Sequence, residues 1–139
     1  MGLDVSHDAW HGAYSAFSRW RQKIAELAGY AVWDVVYDGG YKTPTIMLDW
    51  GHITEENLNG KWYQMPADPL ILIFAHHDCE GTLPWQFCKA LADRLTELMP
   101  LLATESDNGG HIGNWCAKTQ QFINGCLSAY EAQEDLHFG

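Results

Sequence analysis

Between Pro69 and Ala75 the chain carries its longest apolar stretch, Leu70-Ile71-Leu72-Ile73-Phe74-Ala75, closed by the polar group His76-His77-Asp78. A run with no polar side to turn toward water has to be enclosed by the rest of the molecule. At this length it falls far short of the ~20 residues that span a bilayer. It therefore reads as a strand buried on both faces. An enclosed strand needs helices or further strands around it, and three amphipathic segments offer them. The first runs from about Gly12 to Ala28, where Tyr14, Phe17, Trp20 or Arg21, Ile24 and Leu27 recur at helical steps before Gly29. The second is expected from Pro84 to Met99, with a stripe of Cys88, Leu91, Ala92, Leu95, Leu98 and Met99. Proline suits its first position, and Pro100 is its expected end. The third lies near Ile112 to Ala132, with Trp115, Cys116, Phe122, Ile123, Cys126 and Tyr130 on its apolar side.

Shorter patterns complete the outline. Gly2 to Ser6 and Ala31 to Tyr37 read as strands, the latter followed by a turn at Asp38-Gly39-Gly40. Thr45 to Trp50 reads as another strand, Thr54 to Asn57 as one helical turn, and Asn59-Gly60 as a turn. Lys61 to Met65 is expected as a short strand and Leu136 to Phe138 as an edge strand. Helices and strands grouped rather than strictly alternating predict an α+β domain, a single small sheet with about three helices packed on one face. With 139 residues, 47% of them hydrophobic, the chain is expected to form one domain over 1–139.

Eight basic residues against eighteen acidic ones leave a net charge of −10. A duplex-binding protein shows a basic surface, so DNA or RNA duplexes are set aside as partners. The acids are scattered, with Glu55-Glu56 and Glu134-Asp135 the adjacent pairs, which suits solubility better than mimicry of a nucleic acid. Met1-Gly2-Leu3-Asp4 has no signal-peptide character and no segment suits a membrane, so a cytoplasmic location is expected. Cys88, Cys116 and Cys126 fall on helical stripes, where a free thiol packs as a small hydrophobe, and no Cys-x-x-Cys pair occurs.

The segment His76-His77-Asp78-Cys79-Glu80-Gly81 is the richest in chemistry. Polar groups at the end of a buried strand, beside a helix start, occupy a common place for ligands. His76, Asp78 and Glu80 are the candidates there. Their spacing matches no zinc or calcium motif, and neighbours in an extended segment point to opposite sides, so no metal or other cofactor is expected. Asp78, Glu80 and Gly81 equally suit a plain turn and cap. Asp4, Ser6, His7, Asp8 and His11 form a second cluster. There Ser6 or Asp8 serves as a helix cap, or His7 meets His76 or Asp78 for acid–base work. Cys79 with His7 or His111 is a further nucleophile pairing. Arg19-Trp20-Arg21-Gln22-Lys23 holds three of the eight basic residues. Arg19 and Arg21 lie about 200° apart on a helix, so both cannot face one ligand; either a solvated face or one phosphate-binding arginine results. Gly109-Gly110-His111 makes a turn or offers backbone amides to a phosphate.

Three stretches together carry a resemblance. Gly2-Leu3-Asp4-Val5-Ser6-His7 leads to Trp10, Gly12-Ala13-Tyr14, Phe17 and Arg19-Trp20-Arg21. His76 to Gly81 is the second, and Gly110-His111 with Lys118-Thr119, Phe122 and Gly125 is the third. In these the chain resembles a family of small acidic bacteriophage proteins of unassigned function; the centre, from about Ala31 to Pro69, is dissimilar. The resemblance implies an accessory protein acting in the bacterial cytoplasm, of the kind that counters host defence. The expected function is capture of a small nucleotide-derived immune signal, cyclic or modified, without turnover. Its ligand-binding residues would be His7, Trp10, Arg19, Arg21, His76, Asp78, Glu80 and His111. A homo-oligomer is expected, since traps of this kind often bind at subunit junctions and the centre is rich in aromatics (Trp33, Tyr37, Tyr41, Trp50, Trp62, Tyr63). The alternatives are a small hydrolase of such a signal, metal-dependent or built on His7, His76 and Asp78, and an acidic inhibitor that binds a host protein.

Overall fold

A computed structural model describes residues 2–104 and 114–139. The chain starts as a tight hairpin, β1 (Gly2–Val5) and β2 (Trp10–Ala13), paired antiparallel with Val5 opposite Trp10. Only His7 and Asp8 stand outside the hydrogen-bonded ends, both at φ 57°, and the Ala9 amide donates to the Ser6 carbonyl. Two left-handed central residues make a type I′ turn, whose twist matches that of the strands. The expected capping of a helix by Ser6 or Asp8 is corrected: helix α1 (Tyr14–Leu27) begins beyond β2, from Ala13, with no side-chain cap.

After α1 comes a second hairpin, β3 (Val32–Val36) and β4 (Lys42–Ile46), turning through Asp38 to Gly40. It forms its own two-stranded sheet, so the expectation of a single sheet is corrected to two. Its first strand falls where the sequence places it. The second begins earlier than Thr45, because the turn and the Tyr37–Tyr41 closing bond set the pairing register. A short helix α2 (Glu55–Leu58) follows, with Thr54 and Asn57 capping each other reciprocally. No strand forms at 61–65.

The apolar run 70–75 is not a strand. Ile71–Phe74 is a short helix, α3, with Leu72, Ile73 and Phe74 buried. The run is enclosed as its composition requires but is helical, since periodicity cannot separate a buried strand from a buried helical turn at this length. The preceding Asp68-Pro69 decides it: the Asp68 carboxylate accepts from the Leu70 amide and proline presets a helical φ. Arg94 and the Tyr30 hydroxyl donate to the same carboxylate, Tyr30 from the connection that follows α1.

Strand β5 (Gly81–Leu83) leads into α4 (Trp85–Ala103), which buries Cys88, Leu91, Ala92, Leu95 and Leu98 as its stripe requires. It does not stop at Pro100. The ~3 kcal/mol cost of a proline inside a helix is offset by the burial of Leu102 in the following turn, worth about 1.5–3 kcal/mol. Helix α5 (Trp115–Ala132) is capped by the Asn114 side chain and buries Trp115, Phe122, Ile123 and Cys126; Ala129 rather than Tyr130 completes the stripe.

The last strand, β6 (Leu136–Phe138), is central rather than at an edge: the main sheet runs β2-β1-β6-β5, all antiparallel. Leu3, Val5, Trp10, Leu83, Leu136 and Phe138 point to its covered face. There α1 and α5 supply Phe17, Trp20 and Phe122 to an aromatic cluster with Trp10 and Phe138. Helix α4 packs mainly against α5. The fold is thus α+β, and its three long helices lie where the periodicity puts them. Among the described residues no helix is long and apolar enough to cross a membrane.

Candidate functional site

The residues expected to form one site separate into two places and a core. Trp10 is wholly buried in the aromatic cluster and presents no face to a ligand. Arg19 and Glu80 are exposed, and His111 lies outside the described residues. Arg21, His76 and Asp78 do come together, where α1 passes the end of α3. His7 sits elsewhere, held by α5 and the segment that follows it.

His76 is 4% exposed and stacks on Phe138 at 4.1 Å. Its Nδ1 lies 2.7 Å from the His77 carbonyl and its Nε2 2.8 Å from that of Thr82. Both ring nitrogens face backbone carbonyls, only one of which the neutral ring can bond at a time, and His76 is turned away from His7. His77 turns the other way, to Glu55. Burial holds the His76 pKa below its usual 6.5, against the two carbonyls that favour the cation; nearby Arg21 and His77 add to the lowering. A histidine whose folded pKa is depressed binds protons more readily unfolded. Its contribution is therefore fully present above about pH 6.5 and lost as pH falls through the folded pKa. The melting temperature of the wild type is expected to drop more steeply between pH 7.5 and 5.5 than that of His76→Gln; parallel curves would show that this imidazole is not the responsible group.

Arg21 Nη1 donates to the carbonyls of Ile73, at 3.0 Å, and His76, at 2.7 Å, and the guanidinium lies 4.7 Å over the Phe17 ring. These bonds satisfy carbonyls left over at the end of α3. Burial lowers its pKa to about 10, partly opposed by the charge of Asp78, so it stays a cation at neutral pH. Among the described residues no carboxylate reaches it at hydrogen-bonding distance, and Nε and Nη2, which are not sealed from solvent, bond no protein group there. The same side chain lines a cleft of about 210 Å³ between α1 and β4, with Ser18, Thr43, Thr45 and Trp50 around it.

The turn carrying His7 docks along one side of α5. The Gln121 side chain donates from Nε2 to the Asp8 carbonyl, and Gly125 admits Ala9 so closely that a Cβ there would sit 2.4 Å from that of Ala9. One turn further, Ser128 Oγ lies 2.9 Å from His7 Nδ1, while His7 Nε2 lies 3.0 Å from Glu134 Oε1. The other members of the sequence cluster are spent differently. His11 bridges Asp4 and Asp8 on the open face of the sheet, and these two carboxylates raise its pKa, Asp4 foremost. Ser6 Oγ accepts from the His137 amide. Ser128 and Glu134 had no motif to mark them, since they lie more than 120 residues along the chain from His7. Among the described residues no three His, Cys, Asp or Glu side chains converge as metal ligands.

Comparison with protein-family models, with curated proteins and with solved structures finds no match to this chain.

Proposed function

We propose that the chain captures a small phosphate-bearing ligand derived from a nucleotide, seating its phosphoryl group on Arg21. The carrying observation is this guanidinium, largely withdrawn from water at a cleft, with one nitrogen committed to backbone carbonyls and, among the described residues, no carboxylate bonded to the rest. A cation drawn largely out of water with no anion bonded to it is costly to keep, and a bidentate anion is its natural complement. Ser18, Thr43 and Thr45 add hydroxyls, and Trp50, about a third exposed, offers a ring face. The cleft is smaller than the ~300–1,000 Å³ usual for whole ligands, so it takes the phosphoryl end and leaves the base to the rim. Arg19, exposed on another side of α1, has no part in this reading.

The exposed aromatics of the β3–β4 hairpin, Trp33 at 62% and Tyr41 at 61%, support the oligomeric part of the proposal, a second copy closing over the rim. Capture of a host immune signal is the setting that the phage resemblance implies. To test it, purified protein is incubated with a panel of cyclic mono- and dinucleotides, and the small molecules are chromatographed before and after denaturation. One compound is expected to disappear at about one equivalent per cleft and to return unchanged. Its return as a new species at many equivalents, or no depletion across the panel, would overturn the reading.

A further inference from the structure

We propose that His7, Ser128 and Glu134 form a second centre, one that hydrolyses small neutral or cationic carboxylic esters. This centre lies apart from the Arg21 cleft, and its chemistry is set by the His7 tautomer. Glu134 can only accept, so the neutral imidazole must carry its proton on Nε2 and leave the Nδ1 lone pair facing Ser128. The hydroxyl then donates to Nδ1, which is the arrangement of a serine with its general base and a carboxylate behind it. The donor set follows from geometry alone and needs no shared sequence motif.

Access and orientation agree with this. Ser128 is exposed on α5, whereas the His7 side chain is 15% exposed, so the nucleophile is reachable and the base is held. His7 lies between two clefts, of about 540 Å³ on the Ser128 side and about 520 Å³ on the Glu134 side. Asn124 stands one helical turn before Ser128 in the first of these. Its Oδ1 accepts from Gln120, so its Nδ2 remains as a donor for a developing oxyanion. Asp8, Glu134 and Asp135 line the two clefts without a lysine or arginine, which disfavours anionic esters and phosphates.

In the reaction Ser128 Oγ forms a bond to the ester carbonyl carbon as its proton passes to His7 Nδ1. The C=O electron pair moves to oxygen, then returns as the C–O bond to the alcohol breaks, and the alcohol leaves with the proton from Nδ1. Water attacks the acyl-serine, again giving its proton to His7; the acid departs and Ser128 recovers its hydrogen. Glu134 supports the imidazolium without touching substrate and is a positioning residue.

The probes are p-nitrophenyl acetate and a fluorophosphonate. Wild-type protein is expected to hydrolyse the ester and take up one phosphonyl group per chain at Ser128, located by mass spectrometry. Ser128→Ala, a change at an exposed position, should lose labelling and at least about 100-fold in kcat/KM, and His7→Gln should do the same. Glu134→Gln should lower kcat with KM unchanged. Equal hydrolysis by Ser128→Ala, labelling at another residue, or no hydrolysis by the wild type would each overturn the assignment.

Discussion

Replacing Gly60 with alanine is expected to abolish cooperative folding. Gly60 leaves α2 at φ +91°, and a Cβ built there falls 1.4 Å from the Thr82 carbonyl oxygen and 2.5 Å from its carbon. Both are backbone, so no side-chain rotation relieves the overlap. The Thr82 carbonyl is also the acceptor for His76 Nε2, and the Thr82 amide donates to the Asn59 carbonyl. Moving it away breaks both bonds and drags β5 from β6 at the Thr82–His137 register. Left-handed backbone costs an alanine about 1–2 kcal/mol, and each buried partner left unsatisfied about 1–3 kcal/mol. The sum reaches the ~4–5 kcal/mol that marks an exceptional single substitution, close to the entire stability of a marginal domain. Gly29→Ala is the control, with a similar φ of +92° and nothing within 4 Å of its Cβ. It should lower the melting temperature by about 4–8 °C through backbone conformation alone, at about 1–2 kcal/mol. Melting by circular dichroism separates the two: a Gly60→Ala protein that melts within 5 °C of wild type would mean that α2 and β5 do not meet in this way.

The parts of the fold that sequence makes legible are those whose signal is repeated. Fourteen to nineteen residues per long helix give each apolar stripe several turns in which to declare itself, and α1, α4 and α5 lie close to their expected places. Elements of three or four residues have no such repetition. The strand β2 went unread because its turn is His7-Asp8, without the Asn-Gly or Asp-Gly that advertises a type I′ hairpin, and because Trp10 and Gly12-Ala13-Tyr14 also suit the run-up to a helix. The sequence Leu136-His137-Phe138 alternates as a strand should, yet alternation carries no information about which strands flank it; its central position follows from pairing with both β1 and β5. The site divides along the same line. Arg21 and His76 announce themselves as rare charge and as chemistry at an element's end, but whether such a group faces a cleft or a carbonyl depends on contacts 50 residues apart. Ser128 is an ordinary helical serine until a turn from the other end of the chain is laid against it.

Arg21→Met is expected to weaken capture of the ligand by at least about 30-fold, the loss of about 2 kcal/mol that follows removal of one partner from a buried charge pair. Arg21→Lys keeps the charge but not the planar fork, and should retain part of that affinity. Stability has to be measured beside affinity, because Arg21 has two opposing effects on the free protein. Its bonds to the Ile73 and His76 carbonyls favour the fold, and leaving them unmade costs about 1–3 kcal/mol each if no water reaches them. Against this, methionine removes a cation that burial penalises strongly enough to lower its pKa to about 10. The two nearly cancel, and the Met variant should melt within about 5 °C of wild type while losing the ligand. A large fall in melting temperature with affinity unchanged would make Arg21 a cap for α3 and nothing more. A variant as stable as the parent and unable to bind would show that the chain retains this cation for its ligand rather than for its fold, an arriving anion being able to bond the nitrogens that the backbone carbonyls leave free.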